Sequence, residues 1–200
     1  KSVVTFPGYA RPWWLAEEPA PAETVDLAVR SRPLGATVHA RLWAPAGLPP
    51  DEPAPLVLAH DGPEYDSLAS LTHYLGVLVA TGRTPPLRAA LLAPGDRNRW
   101  YAASPAYARA LDEEVLPALD ERAATTARIG LGASLGALAL LHAHRRHTGR
   151  FAGLLLQSGS FFHPEFDALE RRFPRYGPIV RFVREMGMAL TDAAPVPTVL

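Results

Sequence analysis

In a chain of 200 residues without cysteine, the segment best suited to covalent chemistry is Gly132-Ala133-Ser134-Leu135-Gly136. A strand that turns at once into a helix brings two backbones into close passage, and glycines on both sides of the serine leave room for it. The serine is forced into a strained conformation that aims its hydroxyl away from the sheet. It also stands at a helix N-terminus, so the N–H of Leu135 points to where negative charge develops on an attacked carbonyl oxygen. Ser134 is therefore the expected nucleophile of an acyl-transfer reaction, and Leu135 the expected first oxyanion donor. The same five-residue pattern occurs in ordinary glycine-rich turns. Here an apolar run, Ala127-Arg128-Ile129-Gly130-Leu131, precedes it and a helix-forming run, Ala137-Leu138-Ala139-Leu140-Leu141, follows, which favours the elbow.

A second oxyanion donor is expected from the turn after an earlier strand. The polar, glycine-containing strand end of that kind is His60-Asp61-Gly62-Pro63-Glu64. Proline has no N–H, so the donor falls to Gly62 or Glu64. Taken alone, these residues read as a tight turn with Asp61 capping and Gly62 at a positive φ; in a pocket Asp61 joins the expected substrate-binding residues. Arg97 and Arg99, with Trp100 and Tyr101, follow the next apolar strand, where loops build pockets. They suit an acidic or catechol-like substrate by charge and stacking, or they form a solvated surface loop. The aromatics between residues 161 and 176 suit either a lid over an acyl group or helix packing. His142, His144 and His147 face different sides of a helix and cannot converge on a metal, so they are expected as exposed side chains. No metal or organic cofactor is expected.

The elements that must hold these groups follow from hydrophobic pattern. Proline-rich residues with two adjacent tryptophans, Trp13 and Trp14, open the chain as an irregular arm. Alternating stretches at 23–30 and 37–43, separated by Pro33 and Gly35, predict an antiparallel hairpin within an N-terminal part spanning 1–54. From residue 55 onward, short apolar runs at 56–59, 89–92, 127–131, 152–156 and 196–200 alternate with helical patterns at 67–80, 105–122, 135–146 and 178–186. Ser104 before Pro105 predicts an N-cap. This is the pattern of an α/β fold: a mostly parallel sheet with helices on both faces, one domain over 1–200 with the hairpin attached.

Lys plus Arg equals Asp plus Glu at 20 each, so no net field favours nucleic acid or an anionic membrane. No apolar run approaches a membrane span, and the first residues lack the plan of a signal peptide. The expected setting is cytoplasmic, although a chain beginning at Lys1 leaves the natural N-terminus open. The expected partner is a small-molecule ester; no oligomeric state is indicated.

Four blocks resemble the putative-esterase family of α/β-hydrolases, and the enterochelin-esterase branch above all. They are Asp61-Gly62; Arg97 with Ser104 and Tyr107 before a helix ending Glu114-Val115-Leu116-Pro117; the elbow; and Gln157-Ser158-Gly159-Ser160-Phe161 after the next strand. The resemblance covers about residues 55–165. It implies the α/β-hydrolase fold and a serine carboxylic-ester hydrolase acting on siderophore-type or other small esters. An acyltransferase with the same nucleophile and a non-catalytic binding module stay open beside it. The family order of serine, then acid, then histidine places the last two beyond residue 200, so a C-terminal part is expected to be missing. Asp192 lies at the wrong end of its strand; His163 is on the correct side of the sheet as a loop residue near the pocket. Neither is assigned to the triad. This chain departs from the branch at Ala133, Gly136-Ala137 and Pro63, and at Trp100, where an acidic residue is usual and an apolar substrate wall is implied.

Overall fold

The computed structural model describes residues 4–188 and 195–200. Its centre is a seven-stranded sheet in the order β1-β2-β4-β3-β5-β6-β7. Strands β1 (Ala22–Ser31) and β2 (Ala36–Pro45) form the expected antiparallel hairpin, and β2 runs antiparallel to β4 (Arg88–Leu92). The remaining strands, β3 (Ala54–His60), β5 (Thr125–Ala133), β6 (Gly153–Gln157) and β7 (Thr198–Val199), join β4 in parallel. The hairpin and the parallel strands thus share one sheet.

Burial explains the two strand patterns. All of β4 is buried because side chains on both of its faces are covered, so its sequence is uniformly apolar apart from Arg88. At the sheet edge β1 buries only Leu27 and Ser31. Along β3, Leu56 and Leu58 point into one core with Leu92, Leu138 and Leu140, while Ala59 points into a smaller one with Leu71, Leu75 and Leu91. Arg88 closes the far end of the sheet: its guanidinium donates to the carbonyls of Pro49, Glu52 and Ala124.

The helices differ from expectation in three places. The helix expected over 67–80 begins earlier and is broken: α1 (Gly62–Ala69) and α2 (Leu71–Ala80) meet at Ser70, which has φ 52° and ψ 46°. Pro63 in the first turn starts α1, since its fixed φ suits that position and its missing N–H costs nothing there. The residues expected as a loop at 97–101 form a short helix, α3 (Arg97–Tyr101), capped by the side chain of Asp96. The helix from Pro105 is capped by Ser104 as expected. It runs through α4 (Pro105–Ala110), a π-helical segment (Leu111–Val115) and α5 (Leu116–Asp120). Beyond it, α6 (Leu135–Arg146) matches the expected bounds and α7 (Tyr176–Met188) is slightly longer. In the N-terminal arm, Trp13–Ala16 form one 3-10 turn where no regular element was expected, and Trp14 packs edge-on against Tyr74.

The histidines of α6 correct another expectation. His142 and His144 are buried, because α6 is covered on two sides; His142 lies edge-on to Phe182. Burial pushes the His142 imidazole down to about 4, so it is neutral near pH 7. His147 pairs with Asp112. No group of metal-ligating side chains occurs among the described residues, and no helix among them is long and apolar enough to cross a membrane.

Candidate active site

Strand β5 ends at Ala133 and α6 begins at Leu135, leaving Ser134 alone at the junction with φ 55° and ψ −120°. This conformation is costly for a residue with a Cβ, of order 1–3 kcal/mol, and persists only where the surroundings impose it. Here they do. The Ser134 N–H donates to the carbonyl of Gln157 at 2.9 Å, and its carbonyl accepts from Leu138 N–H and Ser160 N–H at 3.2 and 3.1 Å. The strand and helix pass so closely that a Cβ on Gly132 would stand 2.7 Å from the carbonyl carbon of Gly136. The serine side chain is exposed at the carboxyl end of the sheet. Its hydroxyl lies 2.9 Å from that of Ser160, and no histidine ring among the described residues is hydrogen-bonded to it.

The neighbouring parallel strand β3 ends in a second tight junction. Asp61 takes φ 53° and ψ 36°, and α1 starts at once. The positive φ thus falls on Asp61, not on Gly62 as the turn reading had it. Gly62 is required for another reason: a Cβ there would lie 2.4 Å from Leu91 Cα. The ladder of α1 opens with Tyr65 N–H donating to Asp61 C=O at 3.0 Å, so the amides of Gly62 and Glu64 precede it. Two helix N-termini, those of α1 and α6, therefore sit side by side over paired strands, with the Leu135 amide on one and the Gly62 and Glu64 amides on the other. Both favour developing negative charge.

Asp61 does not cap its helix. Its carboxylate takes a two-pronged bond from Arg97 at 2.9 and 2.8 Å, and Arg97 also reaches the Ala133 carbonyl at 3.5 Å. The ion pair therefore ties the α1 junction to α3 and to the residue before Ser134. Asp61 and Arg97, expected to contact substrate, are each engaged by the other. Arg99 is exposed on α3 and donates its backbone N–H to Asp96. Tyr101 is fully buried and stacks on His60 at 4.7 Å, which removes it from the substrate-contacting set. Trp100 is also buried and stacks on Tyr107 at 6.0 Å, so it forms core and not a substrate wall. These aromatics turn inward because residues 97–101 are helical and pack on α6.

His60, given no role from sequence, is the hub behind the junctions. Its Nδ1 lies 3.0 Å from the Gly136 carbonyl and its Nε2 2.9 Å from the Tyr107 hydroxyl. A carbonyl only accepts, so Nδ1 carries the proton and Nε2 accepts from Tyr107. Complete burial lowers the imidazole to about 4, which keeps it neutral and makes it a brace, not a base. Burial likewise holds the Tyr107 phenol well above its usual range.

A cavity of about 390 Å³ opens beside the elbow, walled by Asp61, Glu64, Tyr65, Arg97, Ala133 and Gln157. Tyr65 donates to the Gln157 side chain at 2.5 Å, and both also line a second cavity of similar size with Trp14 and Tyr74. A larger cavity of about 450 Å³ lies by Arg41 and Asp66 and includes no elbow residue. The backbone geometry at Ser134, not cavity size, marks the candidate site. His163 is half-buried in the segment after β6, where its N–H is held by Asp167 and its ring meets Phe166 at 5.0 Å. Phe161, Phe162 and Phe173 pack on the main core, whereas Phe166 is 81% exposed. Asp192 lies outside the described residues.

The roles of His60, Tyr65, Gln157 and Ser160 escaped sequence reasoning. A motif was visible around Gln157 and Ser160, yet its contact with Ser134 depends on β6 lying next to β5.

Comparisons with known proteins bear on the fold and the family. No curated protein matches the chain in sequence. Among solved structures, it is similar to ferric enterobactin esterase from Salmonella typhimurium with 21% identity and a TM-score of 0.70, covering 80% of this chain and 42% of that one. It is similar to an IroE-like serine hydrolase from Shewanella oneidensis with 20% identity and a TM-score of 0.60, covering 80% and 56%. A ferulic acid esterase gives 16% identity and a TM-score of 0.65 over 83% and 69%. The chain thus spans less than half the length of the first of these. The shared feature is an α/β-hydrolase type of sheet. The model of the family described as putative esterase matches residues 31–187, most of the chain, and the chain belongs to that family.

Proposed function

We propose that this chain carries the nucleophile of a carboxylic-ester hydrolase, with Ser134 forming an acyl-enzyme. The observation that carries the reading is the strained, exposed Ser134 between β5 and α6, next to a second helix N-terminus over β3. Ser134 Oγ gives its proton to a general base and forms a bond to the ester carbonyl carbon, whose π electrons move to oxygen. The N–H groups of Leu135 and of Gly62 or Glu64 take that charge. Collapse expels the alcohol, and water then releases the acid from the serine. An imidazole oriented by a carboxylate is the base this chemistry needs. His60, braced and neutral, and Asp61, held by Arg97, are committed to other partners.

The ester is small, in keeping with a cavity of about 390 Å³ beside the nucleophile. A siderophore-type ester is the finer reading, supported by the likeness to the ferric enterobactin esterase fold. Faster turnover of aryl trilactones than of short-chain esters is expected; the reverse preference would count against it. The catalytic assignment is tested by labelling the intact protein with a fluorophosphonate and mapping the adduct by peptide mass spectrometry. Label on Ser134, lost in Ser134→Ala, is expected. Absence of label on folded protein would favour a binding module that kept the fold without the chemistry.

A further inference from the structure

We propose that Ser160 positions the nucleophile and stabilises its alkoxide, an inference that rests on the assignment of Ser134 above. The two hydroxyl oxygens are 2.9 Å apart. Their backbones are locked together and not merely neighbours. Ser160 N–H donates to the Ser134 carbonyl at 3.1 Å, and Ser134 N–H donates to the Gln157 carbonyl at 2.9 Å. Between those anchors the chain bends through Ser158, at φ 46°, which brings residue 160 back over the elbow. Phe161, next in sequence, packs on the main core and holds the bend from below.

Hydroxyl chemistry then sets the direction of the bond. A serine hydroxyl has one donor and two acceptor sites, so one of this pair donates and the other accepts. When the Ser134 proton turns to its general base, only Ser160 can donate within the pair. As that proton leaves for the base, Ser160 keeps its own and faces a growing negative charge on Ser134 Oγ. The bond becomes charge-assisted at that moment. Once Oγ has bonded to the electrophile, the charge has moved to the departing group or the oxyanion, and the bond is again between neutral groups. Ser160 therefore accelerates attack without tightening the reversible complex.

The test is fluorophosphonate inactivation of the intact protein, in which the Ser134 O–P bond forms, fluoride leaves and the serine proton goes to the base. The limiting rate and the reversible affinity are measured for wild type and for Ser160→Ala, Ser160→Val and Ser160→Thr, with thermal unfolding to confirm folding. Threonine and valine share a shape, but only threonine keeps a hydroxyl. Limiting rates roughly ten- to a hundredfold lower in the alanine and valine variants are expected, from the worth of a hydrogen bond to a charged group. Threonine should restore most of the rate, with affinity unchanged throughout. Equal rates in all four proteins overturn the proposal. So does a loss that threonine shares, or one that appears in affinity alone, since each marks the bend as structural only. Failure of wild type to label Ser134 is a separate outcome that sinks the esterase assignment itself.

Discussion

The junctions after β3 and β5 are built alike and used differently. Each ends a central parallel strand, places a residue other than glycine at positive φ, and starts a helix at the next residue. At the first, Asp61 turns its carboxylate into the protein and is held by Arg97. At the second, Ser134 is exposed and its hydroxyl meets that of Ser160. Both junctions use a positive φ, with ψ at 36° for Asp61 and −120° for Ser134, and they differ in whether the side chain turns inward to a partner or outward. Positive φ alone does not mark a site, since Ser70, Ala103 and Ser158 share it; exposure and partners are what separate Ser134 from Asp61.

Several measurements would break or sharpen that contrast. The largest effect belongs to Ser134→Ala, which should lower ester turnover by a factor of about 10⁴ or more while leaving the fold intact; retained turnover would move the nucleophile elsewhere. At the β3 junction the effect should appear in stability. Gly62→Ala puts a Cβ into the backbone of Leu91 and should cost about 3 kcal/mol in denaturant unfolding; no loss would mean the junction yields freely.

The buried histidines behind the elbow give a pH signature of similar size. His60 and His142 sit at about 4 when folded, against 6.5 as the ordinary value. Between those values the unfolded chain binds more protons than the native one, so stability is complete above pH 6.5 and is lost as pH falls toward 4. Each histidine should contribute about 3 kcal/mol to that loss. His142→Gln should flatten the profile, and an unchanged slope would argue that His142 titrates normally.

The smallest expected effect is that of Asp61→Asn. It keeps the shape but removes the charge facing Arg97, whose side chain is 35% exposed against 12% for Asp61. Partial hydration of the guanidinium limits the cost to about 2 kcal/mol. A shift of the same mutant's inactivation rate beyond its stability loss would show that the brace also sets the elbow's geometry.

Much of the scaffold was legible in the sequence. Uniform apolar runs marked strands covered on both faces, alternation marked the hairpin, and two glycines around a serine marked the elbow, because local sterics and burial dictate those residues whatever the distant partners. The α1 start was missed because a Gly-Pro pair reads equally as a turn and as a first helical turn. Other assignments depended on which strands become neighbours. Pairing of β5 with β6 sets Ser160 against Ser134, and packing of α3 on α6 turns Trp100 and Tyr101 inward and leaves Arg97 to meet Asp61. Such contacts join residues from 26 to 36 positions apart. Only the folded sheet brings them within hydrogen-bonding range, so residue type and the strand-serine-helix elbow were written in the sequence, whereas partnership was decided by tertiary structure.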